Sequence, residues 1–172
     1  MLGDPGEFPG ALQASVAARR SAYAAYRALP PYPTLIRGHF DPFCWAADPR
    51  RRADIADDHH DHGPIGEVIS GFPGAAGVVE GTARVLRSAE DGDRLQPGEI
   101  LVTTVTNIGW TPLFPRAGAV VTDIGAPLSH AAIVARELGI PAVVGCGNAT
   151  TRLRSGDRIR VDGERGTVDI LN

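Results

Sequence analysis

The sequence contains no lysine: all 17 of its basic side chains are arginine. That excludes a P-loop lysine, a Schiff-base lysine and any lysine nucleophile within this chain. Cysteine is nearly absent too. Cys44 and Cys146 stand far apart with no CxxC spacing, which argues against a thiol-based metal or redox centre and for a reduced, cytoplasmic setting. No apolar run is long enough to span a bilayer, and the N-terminus lacks the charged-then-apolar order of a signal peptide, so no membrane partner is expected. A net charge of −3 gives no general electrostatic reason to expect nucleic acid. What remains is a chain of 172 residues, long enough for one domain with a real core plus a sizeable extension.

Residues 11–29 are rich in good helix formers, with Leu12, Val16, Tyr23 and Tyr26 forming an uneven apolar stripe that predicts packing against something. Pro30, Pro31 and Pro33 end this helix, and an extended stretch follows at 34–36. Residues 1–47 therefore read as a helical and extended docking segment. From 48 to 69 the chain is charged and polar, and reads as a solvated, mobile linker. Within it Asp57, Asp58, His59, His60, Asp61 and His62 are the right ligand types for a transition metal. Adjacent residues on a Gly/Pro-bounded segment make a poor preorganised site, so no metal site is assigned.

The remaining residues, 70–172, read as an α/β domain. Residues 77–86 alternate as a strand with a glycine bulge or bend. Residues 94–98 turn into a strand at 100–103. Residues 109–114 begin a short helix with Pro112 in its first turn. Residues 119–122 form a continuous apolar run, as in a strand buried on both faces. Residues 158–162 and 166–170 flank a turn and form a hairpin.

The most informative stretch is 127–145. Ser129 has the side chain of a helix N-cap, Leu128 and Ile133 have the spacing of a hydrophobic staple, and Gly139 suits a left-handed stop before Pro141. His130 is thus placed at the positive end of a short apolar helix, where unpaired N–H groups stabilise an anion. A phosphoryl group accepted by the ring would be stabilised there, with the Ser129 hydroxyl at hand for one of its oxygens. From position alone, a histidine that merely caps or packs explains the same pattern.

The surroundings decide the reading. Residues 122–143 (TDIGAPLSHAAIVARELGIPAV) resemble the phosphohistidine segment of the phosphoenolpyruvate-utilizing enzyme family, which includes phosphoenolpyruvate synthase, pyruvate phosphate dikinase and the rifampicin phosphotransferases. The resemblance extends upstream through 98–104 and 109–114 and downstream through 153–163, so that about residues 70 to 171 look like the family's mobile, swivelling domain. It implies a three-layer β/β/α fold, and it maps the phosphoryl-carrying histidine onto His130. The family often has two glycines in the loop before that histidine; this chain has Gly125 followed by Ala126.

The resemblance further implies a phosphoryl carrier within a dikinase-type phosphotransferase, not a complete enzyme by itself. His130 would take its phosphoryl group from ATP or phosphoenolpyruvate on a partner, an ATP-grasp-like domain or subunit that would also hold Mg²⁺. The group would then pass to a small-molecule acceptor. No cofactor is expected on this chain itself. A binding or regulatory module that keeps the fold without transfer is the alternative. Beside the histidine, the hydroxyls of Thr103, Thr104 and Thr106 at a strand end are candidate phosphoryl contacts. Arg136 offers either a phosphate contact or an ion pair with Glu137. Trp110 is expected in the core, and Asp123 and Asp157 are expected to shape turns.

Overall fold

A computed structural model describes residues 8–57 and 66–171, with side chains from residue 12 onward. The chain divides into two compact units, Met1–Tyr32 and Pro33–Asn172. In the first unit a 20-residue helix, α1, runs over Phe8–Arg27. Its run of alanines and arginines favours helix without help from tertiary packing. Leu12, Val16, Tyr23 and Tyr26 are all exposed.

The second unit holds, in order, β1 Leu35–Arg37, α2 Pro42–Ala47, β2 Ile55–Asp57, β3 Val68–Ser70, β4 Phe72–Ala75, β5 Val78–Val85, β6 Ile100–Thr103, β7 Ala119–Thr122, α3 His130–Leu138, β8 Ala142–Val144, α4 Ala149–Arg152, β9 Arg158–Asp162 and β10 Thr167–Leu171. Two 3-10 segments, Ala89–Arg94 and Ile108–Arg116, lie before and after β6. The second carries Pro112 and Pro115 inside it. Proline removes the N–H groups a longer α-helix would need, so the expected short helix stays in the tighter form.

Eight strands form one mixed sheet in the order β3-β10-β9-β5-β6-β7-β8-β4. Strands β5, β6, β7 and β8 run parallel, while β9, β10, β3 and β4 pair antiparallel around them. The two edge strands β3 and β4 are separated in sequence by Gly71 alone, so the sheet folds back on itself into two stacked halves. A Cβ on Gly71 would lie 2.7 Å from the Val144 carbonyl oxygen and 2.9 Å from Cys146 Sγ, so only glycine passes this crossing.

The period-2 alternation of the parallel strands then fills two cores. Ile100, Val102, Val121 and Val143 point between the sheet halves, against Ile69, Ile159, Val161 and Val168. Leu101, Val120 and Val144 point the other way, against Ala131, Ala132 and Ala135 of α3 and against Trp110, Leu113 and Phe114. Two β layers and one helical layer result, the β/β/α arrangement implied by the resemblance. Trp110 is a core residue, as expected.

Particular expectations differ in outcome. The hairpin forms at β9 and β10, with the Asp162 carboxylate accepting from the N–H groups of Glu164 and Arg165. No register shift occurs at Gly81, which faces Ile159 in an unbroken ladder. The irregularity instead falls in β4, between Pro73 and Ala75, where proline cannot donate to the ladder.

The stretch 48–69 carries more structure at its start than its composition suggests. β1 and β2 pair in parallel, the Thr34 N–H donates to the Ala53 carbonyl, and the Ala53 N–H donates to Gly147 at 2.6 Å. Arg52 forks onto Asp54 at 2.9 and 2.7 Å. The boundary between units accordingly falls at 32/33. Beyond Asp57, the acid–histidine run lies outside the described residues.

Candidate functional site

The carboxyl ends of β6 and β7 set the site. The chain leaving β7 is stitched to the chain leaving β6: the Asp123 and Ile124 N–H groups donate to the Thr103 and Thr104 carbonyls at 3.1 and 2.8 Å. The loop then turns at Ala126, whose carbonyl accepts from the Ser129 N–H at 2.8 Å, and α3 begins. Gly139 closes the helix in the left-handed conformation at φ 68°.

His130 is half-buried at the first position of α3. Its Nδ1 lies 2.9 Å from the Thr106 hydroxyl and its Nε2 lies 3.4 Å from the Thr111 hydroxyl. The buried Phe114 ring meets the imidazole edge-on, with centroids 5.9 Å apart. The ring is thus fixed on three sides by residues from the loop after β6 and from the following 3-10 segment. Thr106 was legible in the sequence by its place past a strand end. Thr111 was not, because only the proline-shaped turn of its segment brings it back over α3.

Two further hydroxyls converge on the same loop. Thr122 Oγ1 and Ser129 Oγ are both buried and find no hydrogen-bond partner among the described residues. Between them lies Gly125, where a Cβ would stand 3.1 Å from Ser129 Oγ and 3.2 Å from Thr122 Oγ1. Gly125 therefore provides space, not an unusual backbone angle. No non-glycine described residue has positive φ, so Ala126 occupies its position without backbone strain.

The structure corrects three sequence-based expectations here. Ser129 occupies the N-cap position, but its side chain makes no capping hydrogen bond. Leu128 is 81% exposed, so no staple forms with Ile133. Arg136 is not paired with Glu137: its guanidinium donates to the Gly74 carbonyl at 2.7 Å and to the Pro127 carbonyl. It clamps the loop before His130 onto β4. Thr103 and Thr104 serve the site through their main chain, as above, and the hydroxyls that reach the ring belong to Thr106 and Thr111.

Asp123 also departs from the turn-forming role expected of it, whereas Asp157 does close a turn by accepting the Arg154 N–H at 2.7 Å. Asp123 is fully buried, and its carboxylate accepts the Thr150 N–H at 3.2 Å and the Thr150 hydroxyl. Burial pushes its pKa up to about 6, partly offset by the Thr150 bonds. The neighbouring Cys146 thiol is pushed up to about 12, first by burial and then by the Asp123 charge. Among the described residues no group of three or more His, Cys, Asp or Glu side chains converges to hold a metal. No helix among them is long and apolar enough to cross a membrane.

Residues 95–166 match the family model described as PEP-utilising enzyme, mobile domain. The chain is 50% identical over 105 residues to a rifampicin phosphotransferase of Bacillus cereus, a match covering 61% of this chain and 12% of that protein. It is 42% identical over 154 residues to a rifampicin phosphotransferase of Streptomyces sviceus, covering 90% of this chain and 16% of the relative. It is 48% identical over 107 residues to a phosphoenolpyruvate synthase of Aeropyrum pernix, covering 61% of this chain and 13% of the relative. The chain thus spans only a small part of each of these multidomain-length proteins.

Proposed function

We propose, from the match of residues 95–166 to the PEP-utilising enzyme mobile domain, that the chain is a member of this family and the phosphoryl carrier of a larger phosphotransferase, with His130 as the carrying residue. One observation supports this most: each ring nitrogen of His130 faces a threonine hydroxyl, Thr106 at 2.9 Å and Thr111 at 3.4 Å. In the proposed tautomer Nδ1 carries the hydrogen and donates it to the Thr106 hydroxyl, which leaves the Nε2 lone pair as the nucleophile.

In the proposed step the Nε2 lone pair forms an N–P bond with a phosphoryl group of the donor. The bridging P–O bond breaks, and its electrons leave on the bridging oxygen of the departing group, a phosphate when the donor is ATP or the pyruvate enolate when it is phosphoenolpyruvate. Nδ1 keeps its hydrogen, hydrogen-bonded to Thr106, throughout, so the ring takes positive charge only as the phosphoryl oxygens bring negative charge. In this reading the start of α3 and the unpaired Ser129 hydroxyl stabilise those oxygens. In the return step an acceptor oxygen attacks phosphorus, the N–P bond breaks and Nε2 recovers its lone pair.

ATP, with Mg²⁺ on the nucleotide, is the proposed donor, phosphoenolpyruvate being the alternative. The donor would be held by an ATP-grasp-like domain or subunit, and a small molecule would be the acceptor. The relatives' lengths support a partner of this kind, since each extends far beyond the matched segment. The described cysteines are both free thiols, which supports a cytoplasmic setting.

The test is transfer of ³²P from ATP in the presence of Mg²⁺ and a competent ATP-binding partner. The expected result is acid-labile, alkali-stable label on the wild-type chain and none on His130→Ala, with the variant's circular dichroism unchanged. Full labelling of the variant contradicts the assignment. An unlabelled wild-type chain beside an active partner supports a binding module instead.

A further inference from the structure

Away from His130, a cavity of about 770 Å³ opens on the side of the domain where α4 packs. Four arginines line it, Arg51, Arg87, Arg94 and Arg154, against a single carboxylate, Asp91. The chain as a whole carries more acids than bases, 20 against 17, so this cavity reverses the balance of the molecule. Three of the four, Arg87, Arg94 and Arg154, are exposed, and their side chains make no hydrogen bond or ion pair among the described residues. Elsewhere in the same unit arginines are taken up: Arg52 by Asp54, Arg84 by Glu99, Arg136 by two carbonyls.

The four arginines come from four separate segments whose main chains are fixed. Ser155 accepts the Val85 N–H at 3.0 Å, and the Gly156 N–H donates to Ala83 at 2.9 Å, which ties the Arg154 turn to the end of β5 just before Arg87. Ser88 caps the 3-10 segment that carries Arg94, accepting the Glu90 N–H at 3.2 Å. Arg51 is held by its own N–H to the Asp48 carbonyl at 3.1 Å. Thr151 adds a hydroxyl to the lining. A concave wall of like charge raises the local concentration of the opposite charge, and each guanidinium offers a planar fork suited to phosphate oxygens.

We propose that this cavity is a binding site for a small polyanion with two or more adjacent phosphate groups. A single phosphate engages one or two guanidinium forks, whereas a diphosphate or longer chain has the oxygens to engage more. The lining contains no aromatic side chain to stack a base, so the phosphate chain is what the site recognises. The proposal stands apart from the carrier role of His130, and its test reads binding, not transfer.

The experiment is calorimetric titration of the full chain with sodium pyrophosphate at fixed ionic strength, with orthophosphate and sulfate as comparators. The expected result is one pyrophosphate per chain, bound about tenfold or more tightly than either comparator. In the Arg87→Gln/Arg154→Gln double variant the affinity falls by about tenfold for each fork removed. The ligand-free melting temperature stays the same, because neither side chain bonds within the domain. Pyrophosphate bound no better than sulfate, or bound equally well by the double variant, overturns the proposal. So does an absence of binding.

Discussion

Thr106 Oγ1 stands 2.9 Å from Nδ1 of His130, and this contact orients the one ring on which the proposed chemistry depends. Thr106 is buried and Thr111 is exposed, so the two threonines should not be equivalent. Thr106→Val keeps the side-chain shape and removes the acceptor for Nδ1–H. We expect single-turnover transfer to slow by about a hundredfold, the cost of a misplaced reacting group. Thr111→Val, at a contact of 3.4 Å, should slow it by less than about tenfold. Equal effects, read by rapid quench, would show that Thr106 does not set the ring.

Ser129→Ala separates capping from transfer. An N-cap hydroxyl that bonds the first turn is worth about 1 kcal/mol. Here the hydroxyl is buried without a partner, so its removal should leave urea stability unchanged or raise it slightly, while transfer slows. A stability loss of about 1 kcal/mol with an unchanged transfer rate would assign Ser129 to capping alone.

Asp123 gives a dependence on pH. Its folded pKa of about 6 lies above the ordinary 3.8, so between those values the native state holds a proton that the unfolded chain has released. This group's contribution to stability therefore falls as pH rises from about 4 to 6 and is level above, a loss of about 3 kcal/mol. Asp123→Asn has no such proton. Urea unfolding of both proteins across this range should show the variant gaining on the wild type by that order as pH rises. Parallel curves would mean that burial does not hold the proton on Asp123.

The two cysteines should differ in reactivity. Cys44 is exposed, whereas Cys146 is buried with its thiol raised to about 12. At neutral pH a disulfide reagent should titrate one thiol per native chain promptly and two in denaturant. Prompt reaction of both in the native protein would show that the crossing of β3 and β4 over Cys146 opens readily.

Local chemistry was readable where a residue acts through its own segment. The left-handed Gly139, the buried run of β7, the hairpin of β9 and β10 and the start of α3 at His130 all follow from spacing and side-chain type. Contacts between distant segments were not readable. Arg136 looks like a free cation until α3 is packed on β4 and its guanidinium meets the Gly74 carbonyl. Asp123 looks like a turn residue until α4, too short to predict, brings Thr150 onto it. The polar composition of 48–57 suggests solvation, and a single main-chain bond from Ala53 to Gly147 ties it to the domain.

The central claim is that His130 is the residue that accepts a phosphoryl group, and a small chemical donor tests it with this chain alone. Incubation with phosphoramidate, followed by tandem mass spectrometry at alkaline pH, locates the modified residue among the five histidines. The account predicts one phosphoryl group per chain, on His130, reduced in Thr106→Val and absent in His130→Ala. Phosphoryl groups spread evenly over the other histidines, with His130 unmodified, would contradict it.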